Sequence, residues 1–64
     1  MLGQKVKHER KEQGLSQEAL AALSGTTAAT ICRVENGIQR PSLGMLKAIS
    51  KALGVSIGCL MGEE

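Results

Sequence analysis

The side chains of this 64-residue chain that could do chemistry are basic rather than catalytic. There is no aspartate, a single histidine, His8, set among charges in "KVKHERKE", and two cysteines, Cys32 and Cys59, whose separation matches no paired zinc-ligand spacing. No serine, cysteine or glutamate has an evident acid–base partner, so the sequence argues against an enzyme, a metal centre and a cofactor. What remains are Arg10, Arg33 and Arg40 and the lysines. A guanidinium offers a planar fork of donors that fits a phosphate or the O6/N7 edge of guanine, whereas an ammonium acts as a point charge. Formal net charge is only +2, but Lys5, Lys7, Arg10 and Lys11 crowd the start and Glu63 and Glu64 form an acidic end. Without that pair the count is +4, eight basic against four acidic. A modest positive face of this kind attracts a polyanion, yet it also describes an ordinary solvated surface, so charge alone leaves both open.

The elements that must position these groups are short. With no Phe, Tyr or Trp, packing falls to Leu, Ile, Val, Ala and Met, and a domain of this size buries only about 60% of the surface of its unfolded chain. Gly and the single Pro divide the chain into pieces with apolar residues three or four apart. Leu2, Val6 and the stem of Arg10 share one side of a first helix stopped at Gly14. Ser16 caps a second helix with Leu20 and Leu23 inward, broken at Gly25. Thr27 caps a third, with Ile31 and Val34 inward, ending at Asn36 and Gly37, both suited to a left-handed conformation. After the loop "QRPS", Ser42 caps a fourth whose stripe is Leu43, Leu46, Ile49 and Leu53, ended by Gly54. Ser56 caps a last short helix closing the core with Ile57, Leu60 and Met61. A strand over the β-branched "TTAATICRV" is the competing assignment, but it would have nothing to pair with. The expectation is an all-α, compact five-helix bundle forming one domain over residues 1–64.

No long apolar run suggests a membrane span, Met1 leads into a mixed polar segment unlike a signal peptide, and two cysteines are too few for a disulfide framework. A reduced, cytoplasmic setting is expected.

The pair of helices around Gly25 has a geometry of its own. Two helices crossing at about 90–120° through a short turn need a small residue where they nearly touch and often glycine in the turn. Ala21 and Gly25 supply these, Gln17 opens the first helix, and Leu20, Ile31 and Val34 bury the joint. The same pattern also fits an ordinary helical hairpin with no nucleic-acid function.

"GLSQEALAALSGTTAATICRVENG", followed by "RPS" and "LKAISKALGVSIGCLM", resembles the lambda-repressor-like DNA-binding domain of the phage-repressor, Cro and Xre family of helix-turn-helix regulators. The resemblance runs from about Leu2 to Met61 and combines Leu15, Gln17, Leu20, Ala21, Gly25, Ile31, Glu35, Gly37, Pro41, Leu46 and the "ALGVS" run. It implies a helix-turn-helix over about residues 17–36 with the third helix in the major groove of double-stranded DNA. It further implies a dimer, weak or induced by DNA, on a two-fold operator with half-sites about one helical turn apart. The implied function is sequence-specific regulation of transcription, most commonly repression, in a bacterial or phage cytoplasm at the nucleoid.

Residue by residue, the resemblance places Gln17 on the phosphate backbone and against the recognition helix, and Asn36 and Arg40 on phosphate. It pairs Arg10 with Glu35 as a surface salt bridge that ties the first helix to the third and turns the arginine toward phosphate. Ala21, Gly25, Ile31, Val34 and Glu35 hold the motif together. Thr27, Ala28 and Ala29 stand where relatives carry longer polar base readers. Alanine can touch a thymine methyl and lets the helix come close but cannot hydrogen-bond a base. Arg33, the only long charged donor on this helix, is therefore the expected direct reader of a guanine, with a phosphate contact as its alternative. Dimer contacts are expected near Ile57, Gly58 and Met61. The same fold also serves DNA-binding antitoxins and protein-interaction modules, which is the competing function.

Overall fold

A computed structural model describes residues 2–62. It is all-helical: α1 (Leu2–Glu12), α2 (Gln17–Ser24), α3 (Ala28–Glu35), α4 (Leu43–Leu53) and α5 (Ile57–Met61). Among the described residues no helix is long and apolar enough to cross a membrane, and no group of three or more His, Cys or Glu side chains could hold a metal ion.

Each helix after the first begins at a hydroxyl. Ser16, Thr27, Ser42 and Ser56 have extended backbones, and their side chains accept from the N–H of Ala19, Thr30, Met45 and Cys59, three residues on. Every such bond satisfies a helix-start donor that otherwise has no partner, and is worth about 1 kcal/mol against alanine. The ends are equally local. Gly25 and Gly54 take the left-handed conformation, with φ of 71° and 70°, and turn their N–H groups back onto α2 and α4. At α3 the left-handed residue is Gly37 alone, φ 75°; Asn36, expected to share that conformation, stays at φ −88°. The penalty that a Cβ carries in the left-handed region explains why the step falls on glycine.

α2 packs against both α3 and α4, while α1 crosses α3 and α5. Between them lie Val6, Leu20, Ala21, Ile31, Leu46, Ile49, Leu53 and Leu60, all buried, with Leu2, Leu15, Met45, Ala52, Val55 and Ile57 around the edge. Gln13, just past α1, donates its Nε2 to the Leu53 carbonyl at 2.6 Å and so satisfies one of the unpaired acceptors at the end of α4.

Three apolar positions differ from the pattern reading. Leu23 is 61% exposed, Leu43 65% and Met61 45%. On α2 the buried side runs through Leu20 and Ala21 to half-buried Ser24, which turns Leu23 outward. On α4 the buried stripe is Leu46, Ile49 and Leu53, with Met45 and Ala52 beside it, and Leu43 in the first turn falls outside it. Met61 is the last residue of the short α5 and only its neighbour Leu60 is fully enclosed.

One approach between helices is closer than any pattern indicates. A Cβ on Gly3 would overlap the Val34 carbonyl oxygen and come within 2.6 Å of the Glu35 carbonyl oxygen. Glycine is thus what lets the start of α1 lie against the last turn of α3. Gly3→Ala should force α1 away from α3 and lower stability by about 1–3 kcal/mol, the usual range for overpacking, although alanine is the better helix former. Thermal unfolding followed by far-UV circular dichroism measures this; an unchanged or raised midpoint would mean that α1 is not held by that contact.

Candidate nucleic-acid interface

The site is assembled around α3, and its position depends on both ends of that helix. At the leading end Ala21, 3% exposed, lets α2 and α3 approach, and the N–H groups of Gly25 and Thr26 both return to the Ala21 carbonyl, the latter at 2.9 Å. Ile31 and Val34, 0% and 2% exposed, fix the inner face of α3, so that Ala29 and Arg33 face solvent. Thr27 is exposed and Ala28 half-buried beside them.

At the trailing end a polar cluster joins three segments. The Glu35 carboxylate accepts from Arg10 Nε at 2.7 Å and Nη2 at 3.1 Å, and also from Gln17 Nε2 at 3.1 Å. Arg10 Nη1 donates to the Leu15 carbonyl at 2.8 Å. One carboxylate therefore holds the end of α3 to the last turn of α1 and the first residue of α2. The fork-on-fork geometry with arginine adds direction as well as attraction.

The Arg10–Glu35 pair was expected at the surface; it is buried, with 8% and 1% of the side chains exposed. The correction has a physical basis. Arg10 follows Val6 by one helical turn on the inward side of α1, and its guanidinium meets three acceptors from two segments, enough to compensate for leaving water. The hydrogen bond to Glu35 holds the guanidinium above its ordinary range, outweighing the burial that lowers it. Turned inward in this way, Arg10 braces α1 against the end of α3.

Further residues emerge along the solvent side of α3. Thr27 Oγ1 accepts from the Thr30 N–H at 3.2 Å and lies 3.0 Å from Thr30 Oγ1. Arg33 Nη2 reaches Thr30 Oγ1 at 3.4 Å, the long end of a hydrogen bond, and Arg33 Nε donates to Gln39 Oε1 at 2.9 Å. Thr27, Thr30, Arg33 and Gln39 thus form a continuous polar line from the start of α3 to the loop beyond it. Thr30 and Gln39 were absent from the sequence reading. The threonine could have been found from its i, i+3 spacing to both Thr27 and Arg33. Asn36 is exposed at the end of α3 and its Nδ2 leans back on Cys32 Sγ at 3.4 Å; Arg40 is exposed in the loop that follows. Cys32 and Cys59 are free thiols, each half-buried.

A family model described as helix-turn-helix matches residues 6–58. The immunity repressor protein of Bacillus phage phi105 is 35% identical over 63 residues, covering 98% of this chain and 44% of that protein. The P22 c2 repressor protein, solved in complex with a synthetic operator, superposes with a TM-score of 0.94 at 28% identity, over 100% of this chain and 97% of that one. SinR, described as the master regulator for biofilm formation and solved in complex with DNA, superposes at 0.89 with 35% identity, over 95% and 98%. This chain spans about half the length of the curated relatives it matches, 44% of the phage repressor and 59% of the SinR protein of Bacillus subtilis. With a family match over most of its length and the five helices of the phage repressor domains, the chain belongs to the helix-turn-helix family of transcriptional regulators, in its repressor-like branch.

Proposed function

We propose that this chain is the DNA-binding domain of a transcription regulator, acting as a repressor, that sets α3 into the major groove of double-stranded DNA. The observation that carries this reading is the way α3 is presented: fixed by apolar residues on one side, braced through Glu35 at its end, and open to solvent along Thr27, Ala29 and Arg33. A surface held so firmly meets a ligand without the cost of ordering it. Relatives solved on operator or other DNA support the same reading.

In this arrangement Gln17, at the start of α2, and Asn36 and Arg40, beyond α3, meet phosphate on either side of the groove, where they position the domain without reading sequence. Thr27, Ala28 and Ala29 bring the helix close and touch thymine methyl groups, and Arg33 grips a guanine. Two copies on a two-fold site, meeting near Ile57, Gly58 and exposed Met61, complete the operator complex. The alternative of a purely protein-binding module is favoured by the exposed Ile38 and Leu43, 74% and 65% accessible, which follow α3 in the chain.

Selection of bound duplexes from a random pool tests the proposal directly. Enrichment of a palindrome with half-sites about one turn apart is the expected result, and recovery of no preferred sequence would favour the protein-binding module. Repeating the selection with Arg33→Ala should abolish the preference at a guanine, a change of about 1–3 kcal/mol in discrimination. Uniform weakening with a shallower salt dependence would instead make Arg33 a phosphate contact.

A further inference from the structure

We propose that Gln39 is a specificity-determining positioning residue, which aims the Arg33 guanidinium so that its two Nη groups present a fixed, paired edge to a base. The inference rests on the reading of Arg33 as a base contact and goes beyond it by assigning what orients that contact.

An arginine on a helix surface has many rotamers, and a guanine edge accepts only a narrow set of them, so a free arginine must be ordered at the moment of binding. Here the side chain is tethered at its inner nitrogen. Arg33 Nε donates to Gln39 Oε1 at 2.9 Å, while Thr30 Oγ1 stands 3.4 Å from Nη2. Gln39 is itself anchored to the same helix, because its backbone N–H donates to the Arg33 carbonyl at 3.2 Å beside that of Ile38 at 2.9 Å. The left-handed step at Gly37 is what folds the chain back so that residue 39 reaches α3 again.

Residues 33 and 39 are therefore fastened together at two levels, backbone to backbone and side chain to side chain. With Nε occupied, the part of the guanidinium left to face outward is the Nη1 and Nη2 end, whose parallel N–H groups match O6 and N7 of guanine. Gln39 also has the right chemistry for this task. Its amide oxygen accepts from Nε without adding a negative charge that would repel the DNA backbone.

The test uses the duplex selected from the random pool by the wild-type chain and a second duplex in which the guanine lost on selection with Arg33→Ala is replaced by 7-deazaguanine, which lacks the N7 acceptor. Fluorescence anisotropy gives the ratio of the two affinities for wild type, Arg33→Ala, Gln39→Ala, Gln39→Glu and the double alanine variant. The wild-type ratio should be about tenfold, one good hydrogen bond in a bidentate pair. Gln39→Ala should reduce it about threefold or more, with much less loss on a random-sequence duplex and with an unchanged unfolding midpoint. In the Arg33→Ala background Gln39→Ala should change the ratio no further. Gln39→Glu keeps an acceptor in place and should preserve the ratio while weakening binding to every duplex. An unchanged ratio in Gln39→Ala, or equal loss on selected and random duplexes, overturns the proposal while leaving Arg33 as the reader. A selection unaltered by Arg33→Ala overturns the reading of Arg33 itself, and with it the role of Gln39.

Discussion

Glu35→Ala should be among the most damaging single substitutions in this domain. It removes the acceptor of three hydrogen bonds and strands the buried Arg10 guanidinium, for which breaking one side of a buried pair predicts a loss of about 3–5 kcal/mol. At about 0.05–0.15 kcal/mol per residue a chain of this length has roughly 3–10 kcal/mol of stability in total. The variant should thus lose a large part of the domain's stability, as urea titration followed by far-UV circular dichroism would show. Two companions separate charge from shape. Glu35→Gln keeps an acceptor and should fall between the two. Arg10→Met combined with Glu35→Leu replaces the pair by apolar side chains of similar reach and should be more stable than Glu35→Ala, because no buried charge is left alone. If Glu35→Ala unfolded within 1 kcal/mol of wild type, the pair would be no more than a surface contact.

Leu20→Ala should cost about 2–5 kcal/mol, since Leu20 is fully buried where α2 faces both α3 and α4 and its removal leaves a cavity that aliphatic neighbours fill poorly. Leu23→Ala, three residues on, should change stability by no more than about 0.5 kcal/mol because the side chain is 61% exposed. The same urea titrations measure both, and equal losses would contradict the burial described above.

That contrast marks how far the sequence carries. Helix number, the four hydroxyl caps and the glycine stops are written locally, in residues that act on backbone groups three or four positions away, and they can be read without knowing the fold. The inward faces are nearly as legible, but an i, i+3 pair of leucines does not reveal that Ala21 and Ser24 take the inner side of α2 and turn Leu23 out. What could not be read is what depends on a distant segment. Gly3 looks like a weak point in α1 until the carbonyls of Val34 and Glu35 arrive beside it. The partnership of Arg10 with Glu35 was legible through family resemblance, yet its burial was not, because that depends on Leu15 and Gln17 closing around the pair. Gln39 lies in a stretch that sequence marks only as loop; its meeting with Arg33 follows from the reversal at Gly37.

The shortness of the helices has a consequence for temperature. α2 and α3 have eight residues each and the longest helices have 11, all below the roughly 12–15 at which an isolated helix begins to persist in water. α3 consequently has no independent existence, and the surface proposed to meet DNA melts together with the aliphatic core in one cooperative step. Heating should empty the binding site through global denaturation instead of gradual fraying of the reading helix. Excess duplex, by binding only the folded chain, should raise the melting midpoint in proportion to the logarithm of its concentration.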